Sequence, residues 1–288
     1  VIDYIDNMED EDLIEREDMV VTVTSGGYIK RTALAEYREQ KRGGKGSQGM
    51  ATKEDDVVTQ LFVANTHTPL LFFTTDGMAY KLKTWRLPRG SRNTKGKAIV
   101  NILPLNQGVS IAAIMPVDAA EDDWDNLQIV FATSSGGVRR NALSDFTNVR
   151  SNGKIAMKLP EGVSLVNARI CDKNMDFLLT TEMGKAIRFS VNDVRIFKGR
   201  DSTGVRGIKL APKDNVVSMA VIHHVDVTSE ERSAYFKMRR AITGDETGEN
   251  TETTSTLSQE RYAELSAMEE WILAITASGF GKRSSAHE

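Results

Sequence analysis

The 288 residues predict an all-β chain of propeller-like repeats carrying one α-helical hairpin insertion. Three observations lead there. Five segments align with one another on a turn glycine. Each belongs to a unit with about four short apolar runs of strand length, in about 50 residues, which is the arithmetic of a propeller blade. One acidic stretch then breaks the spacing with a helical pattern.

The aligned segments are Val21–Arg31 on Gly27, Leu71–Lys81 on Gly77, Val130–Arg140 on Gly137, Leu178–Arg188 on Gly184 and Ile272–Arg283 on Gly279. Each reads as a β-hairpin: a β-branched or aromatic run, a polar turn ending in glycine, and a second strand carrying cations. The glycines lie 50, 60, 47 and 95 residues apart, and the last interval falls to 50 if residues 226–270 are an insertion. Further strands are expected at Val57–Val63, Val109–Met115, Leu165–Ile170 and Val216–Ile222. A fourth short strand is expected at Ile99–Leu103, Ile155–Leu159 and Gly207–Leu210. The chain then divides into an acidic segment 1–18, blades at 19–64, 65–117, 118–170 and 171–225, the insertion 226–270, and the start of a fifth blade at 271–288.

The insertion differs in character. Thr228-x-x-Glu231 predicts a capping box opening a helix through about Ile242, and Ser258 predicts the cap of a second helix with Tyr262, Leu265 and Met268 along one side. Gly244 to Thr256 is polar and poor in apolar residues. A solvated helical hairpin is the plainer expectation, a dedicated partner site the other.

Charge is segregated. The formal total is −3, from 37 Lys and Arg against 40 Asp and Glu. Residues 1–18 hold nine carboxylates and one base, and residues 226–270 hold eleven acids and five bases. The remaining chain therefore carries about +11, the balance expected of a polyanion binder rather than of an acidic protein.

Several classes are disfavoured. A lone cysteine, Cys171, allows neither an internal disulfide nor a cysteine-based zinc site, which predicts a reducing, cytoplasmic compartment and a buried thiol. No apolar run reaches the length of a membrane helix, and the opening Val1–Asp6 lacks the regions of a signal peptide. A start at Val1 rather than Met predicts a piece of something longer. His67, His223, His224 and His287 show no metal-ligand spacing. The glycine-rich Arg42–Ser47 fails as a P-loop, because Glu39 and Gly46 stand where a glycine and a hydroxyl residue are needed, and Lys45 defeats a nucleophile elbow at Ser47. No catalytic residue, metal or cofactor is predicted for this chain.

What remains suits a polyanion. Gln40, Lys41, Arg42, Gly43, Gly44, Lys45 and Gly46 combine three cations with three glycines whose amides can turn toward a phosphate. The spacing recurs as Arg92-x3-Gly96 and Arg200-x3-Gly204, and one residue shorter as Arg150-x2-Gly153. Four residues past each aligned glycine stand Arg31, Lys81, Asn141, Arg188 and Arg283. A basic rim is expected from Lys30, Arg31, Lys81, Lys83, Arg92, Lys95, Arg139, Arg140, Arg188, Arg200 and Arg283. Such a rim would bend duplex DNA with little base readout and strong salt dependence. No aromatic series is placed to stack single-stranded bases.

Gln40–Gly46, with Glu36-Tyr37 before it, Val63–His67 after it and Thr203–Ile208 in the fourth repeat, resembles the GyrA box and its setting in the DNA gyrase A C-terminal domain family. The resemblance covers about residues 9–225 and 271–286. It implies a six-bladed β-pinwheel whose blades exchange a strand, with about four and a half blades present, since the chain stops at Glu288. It further implies wrapping of double-stranded DNA with positive handedness, in support of ATP-dependent negative supercoiling. Implied partners are the cleavage core of the gyrase A subunit, together with the gyrase B subunit, in an A2B2 complex, with ATP and magnesium only in that full complex. The box role is carried onto residues 40–46 alone, where Lys41 replaces the commoner arginine. The topoisomerase IV C-terminal domain resembles this pattern but lacks an intact box. A protein-binding propeller is the alternative from another class.

Overall fold

The computed structural model describes residues 11–37, 56–199, 202–243 and 257–288. In chain order the strands are β1 (Asp18–Thr24), β2 (Tyr28–Ala33), β3 (Val58–Asn65), β4 (Pro69–Thr74), β5 (Met78–Lys83), β6 (Lys97–Ala98), β7 (Ile111–Pro116), β8 (Gln128–Thr133), β9 (Gly137–Ala142) and β10 (Lys154–Ile155). They continue with β11 (Leu165–Cys171), β12 (Met175–Thr181), β13 (Ala186–Ser190), β14 (Val205–Arg206) and β15 (Val216–His223). Helices α1 (Ser229–Thr243) and α2 (Gln259–Ala267) follow, then β16 (Trp271–Ile275) and β17 (Gly281–Ser285).

These make four propeller-type blades and a final hairpin. The sheet orders are β3-β1-β2-β6, β10-β5-β4-β7, β11-β8-β9-β14, β13-β12-β15 and β16-β17. Each full sheet has one logic. A hairpin forms, a later long strand (β3, β7 or β11) returns to pair with the hairpin's first strand, and a two-residue strand from the next repeat closes the other edge. Among the described residues, strand exchange between neighbouring blades is therefore present three times, through β6, β10 and β14.

Two sequence expectations are corrected. The closing strands are shorter and earlier than the apolar runs predicted to form them. Ile99–Leu103 instead leaves the sheet as a 3-10 turn, Ile99–Asn101, which buries Ile99 and Leu103 between the first two sheets. Ala156 and Met157 do the same between the second and third. An apolar run of this length reads alike as strand or core plug, and burial between sheets wins. Second, the turn glycine of the third hairpin is Gly136, not Gly137. Gly136 has φ +85°, a conformation that favours glycine, matching Gly27, Gly77, Gly184 and Gly279, while Gly137 already belongs to β9.

The chain forms two compact units, one of Val1–Asp172, Leu179–Ile187 and Val194–Met219, the other of Lys173–Leu178, Arg188–Asp193 and Ala220–Glu288. In the first, sheets are glued face to face by alternating side chains. On β4, Leu70 and Phe72 join Val21, Val23 and Ile29 of the first sheet, while Leu71 and Phe73 join Ile129 and Phe131 of the third. All six β4 residues are buried because both faces are covered.

In the second unit, the capping box forms as the sequence predicts. Glu231 N–H donates to Thr228 Oγ1 (3.2 Å) and Thr228 N–H to Glu231 Oε2 (3.1 Å). Ser258 caps α2 by accepting from Arg261 N–H at 3.1 Å. The helices pack through Tyr235 and Tyr262, stacked with centroids 5.2 Å apart, and Leu265 is fully buried. His287 is buried too, its Nε2 donating to the Leu265 carbonyl at 2.8 Å.

Candidate nucleic-acid interface

The correction to Gly136 sharpens the cation series. Four residues past the glycines now stand Arg31, Lys81, Arg140, Arg188 and Arg283, five cations in five, and Asn141 drops out. Strand pairing confirms the equivalence: Val21 faces Arg31, Leu71 faces Lys81, Val130 faces Arg140 and Leu273 faces Arg283.

Four of the five hold neighbouring segments together rather than lining a free rim. Arg31 Nε donates to the Leu87 carbonyl at 2.8 Å, and Arg140 Nη1 to Val194 at 3.2 Å, the matching point one repeat later. Lys81 reaches Glu121 and the Thr147 carbonyl (2.8 Å), with its ammonium 5.0 Å from the Trp124 ring centroid. Arg188 donates to Asp176 Oδ2 at 2.7 Å, to the His223 carbonyl at 3.1 Å and to the Ala286 carbonyl. Arg283 is exposed and lies over Trp271 at 4.2 Å.

One residue earlier the burial is deeper. Lys30 is 0% exposed, and its Nζ donates to the carbonyls of Ser91 (2.8 Å), Arg92 (2.8 Å) and Thr94 (2.9 Å). Arg139, also 0% exposed, donates to the carbonyls of Ser202 (2.7 Å) and Gly199. Burial pushes the Lys30 pKa down from its ordinary value, opposed by Glu36. Ammonium bonds to three carbonyls offset that desolvation, because each buried acceptor left bare costs about 1–3 kcal/mol. One residue later, Thr32 Oγ1 donates to Gly90 O at 2.8 Å and Asn141 Nδ2 to Phe197 O at 3.1 Å. Three consecutive side chains of β2 and of β9 thus take up the carbonyls of the next repeat's loop. The structure places Lys30, Arg139 and Arg140 in the interior: β2 and β9 each sit between two paired strands, and these three side chains are buried under the next repeat's loop.

Other predicted residues lie nearer the surface. Arg92 and Lys95 are half-buried, stacked over Tyr37 (5.3 Å) and Tyr28 (3.7 Å). Lys83 pairs with Glu11 at 3.0 Å. Arg200 and the whole of Gln40–Gly46 lie outside the described residues.

The exposed cations are ones that hairpin alignment passes over. Between each hairpin's exit and the next return strand run Arg86, Arg89 and Lys97, then Arg150 and Lys158, then Arg195, Lys198, Arg206 and Lys209, all exposed. Residues 84–103 contain five cations and no acid, 147–160 three and none, and 194–212 five with Asp201 alone. That local absence of carboxylates was the available signal. A string of cations without acids, on loops whose carbonyls are turned inward, presents positive charge and can contact phosphate.

The comparisons with known proteins agree with this reading of the fold. The family model described as DNA gyrase C-terminal domain, beta-propeller, matches residues 18–65, 68–118, 128–172, 176–223 and 270–288. The DNA gyrase A subunit of Rickettsia bellii (strain RML369-C) is 48% identical over 281 residues, covering 96% of this chain and 31% of that protein. Its counterpart in Granulibacter bethesdensis (strain ATCC BAA-1260 / CGDNIH1) is 45% identical over 303 residues, covering 99% and 32%. The chain thus spans about a third of the length of these relatives. Among solved structures, the C-terminal domain of DNA topoisomerase IV superposes with TM-score 0.61 at 27% identity, covering 76% of this chain and 64% of that one. The DNA gyrase A C-terminal domain superposes with TM-score 0.57 at 26% identity, covering 72% and 65%. With the repeat, the exchanged strands and the family match together, the chain belongs to the DNA gyrase C-terminal domain family, a β-propeller module of type II topoisomerases.

Proposed function

We propose that this chain is a noncatalytic DNA-wrapping module that bends duplex DNA along a basic track and so supports ATP-dependent negative supercoiling by a gyrase holoenzyme. The observation that carries it is the string of loop cations: residues 84–103, 147–160 and 194–212 together hold thirteen cations against one acid. Phosphates contacted in this way supply affinity without sequence preference. Bending a 20–30 bp segment by 40–90° costs on the order of 1–6 kcal/mol, offset by added contacts and counterion release.

Partners on this reading are the gyrase B subunit, with the cleavage core of the gyrase A subunit, and ATP and magnesium are held by that complex in the cytoplasm. Lys41, Arg42 and Lys45 of the box are assigned the strongest phosphate contacts. The test is a salt series with linear duplex of more than about 100 bp: log K falling steeply with log salt supports the reading, and salt-insensitive affinity overturns it. Replacing Lys41, Arg42 and Lys45 by Ala reduces bending, measured by end-to-end energy transfer, more than it reduces thermal stability. The structural likeness to the topoisomerase IV domain favours a second reading, a topoisomerase IV-type module. The intact Gln40–Gly46 motif weighs against it.

A further inference from the structure

We infer that Lys30 and Arg139 are positioning residues, each of which draws in the carbonyls of the next repeat's basic loop and so turns that loop's amides and cations outward as a phosphate site. The inference rests on the DNA reading above and adds which loops meet phosphate and what orders them.

Lys30 takes three carbonyls from one loop, Ser91, Arg92 and Thr94. In a trans peptide the N–H points opposite to the C=O. The amides of Arg92, Asn93 and Lys95 therefore point away from Lys30. Exposed Arg89 and Lys97 flank the same loop. Successive amides on one side of a short turn, next to cations, form a concavity suited to an anion. Arg139 does the same one blade pair later. It collects Gly199 and Ser202, which turns the Thr203 amide outward beside exposed Lys198 and Arg206.

The intervening repeat supports the generality. There the residue equivalent to Lys30 is Tyr80, and the loop is one residue shorter, Arg150-x2-Gly153. A Cβ on Gly153 would stand 2.7 Å from the Tyr80 ring, so the ring occupies the space a cation would use. A cation still gathers carbonyls beside this loop: Lys154 Nζ donates to Asp145 O (2.6 Å) and Asn148 O (3.1 Å), both just ahead of Arg150. A cation thus gathers carbonyls at or beside all three loops, by two different routes. Packing alone does not call for that, since Tyr80 already fills the gap in the second blade.

The test compares duplex binding across a salt series for the 288-residue chain, Lys30→Met, Lys30→Arg and a core control, Leu143→Ala, of similar melting temperature to Lys30→Met. Met keeps length and burial but removes the donors, while Arg is the residue the third blade uses at this point. Lys30→Met is expected to lower the slope of log K against log salt by about 1 to 2, since each phosphate released from the interface removes about 0.9. Lys30→Arg and Leu143→Ala keep the parent slope. Equal slopes for Lys30→Met and Leu143→Ala would reduce Lys30 to a structural staple and overturn the inference. A parent chain without salt-dependent binding would instead remove the DNA reading itself. If Lys30→Met does not fold, amine labelling of the parent decides: duplex DNA protects Lys97 while Lys30 stays unreactive with or without DNA, and unprotected Lys97 overturns the inference.

Discussion

Arg188 of β13 reaches diagonally to Asp176 of β12, its Nε donating to Oδ2 at 2.7 Å, and the second Asp176 oxygen is 2.7 Å from His224 Nδ1. Asp176 is buried, while Arg188 and His224 are partly open to water. One carboxylate thus joins the hairpin of the fourth repeat to the residues that lead into the helical insertion.

Asp176→Ala removes both bonds at once. Hydrogen bonds to charged groups contribute about 1.5–3 kcal/mol, and the Arg188 and His224 side chains left behind can still reach solvent, which limits the loss. Chemical denaturation followed by far-UV circular dichroism is expected to show destabilisation of about 2 kcal/mol. A change below about 0.5 kcal/mol would show that the carboxylate does not join these elements.

His224 should titrate abnormally. Its pKa is raised above the ordinary 6.5, chiefly by the hydrogen bond to Asp176, which outweighs burial, with the Asp176 charge and Asp226 adding to the rise. A raised folded-state pKa means the imidazolium is favoured by the fold. The stabilisation is fully present below about pH 6.5 and is lost as pH rises through the folded value. Proton NMR of the His224 ring is expected to give a midpoint above 6.5, which Asp176→Asn lowers. A midpoint at or below 6.5 in the parent would contradict the contact.

Phe73 is the hub of the contact between second and third blades, edge-on to Phe131 (5.2 Å) and Phe146 (5.4 Å) and 0% exposed. Phe73→Ala is expected to cost about 3–5 kcal/mol in urea unfolding, the range for a large buried aromatic. A loss under about 1 kcal/mol would mean that the two sheets do not pack through this ring.

Cys171 is buried on β11, and burial pushes its thiol pKa up to about 11, with Arg140 opposing. At neutral pH it is therefore a thiol rather than a thiolate, and poorly nucleophilic. Ellman's reagent is expected to react slowly with the folded chain and rapidly in denaturant. Fast reaction in the native state would place the residue at the surface.

Legibility in the sequence followed the range of the interaction. Hairpins around Gly27, Gly77, Gly184 and Gly279 were readable because turn, strand and glycine are adjacent in the chain. The third hairpin aligns equally well on either glycine, because Gly136 and Gly137 stand together and only φ separates them. Capping by Thr228 and Ser258 was local, and so readable. The exchanged strands were not, since each is two residues long and pairs with a strand roughly 70 residues away. In sequence Lys30 and Arg139 look like surface cations, because a cation on a strand usually guards an edge. Nothing near Lys30 in sequence announces that its carbonyl partners lie 61 to 64 positions on. The exposed loop cations, by contrast, carried a readable sign in the absence of neighbouring acids.

Wrapping is tested most directly by topology. A nicked circular duplex is sealed by ligase while this chain is bound at increasing ratios, the protein is removed, and the linking number is read on a gel. Wrapping along the basic track with positive handedness predicts a positive shift in linking number that grows with bound protein and disappears at high salt. Saturated binding with an unchanged linking number would contradict it.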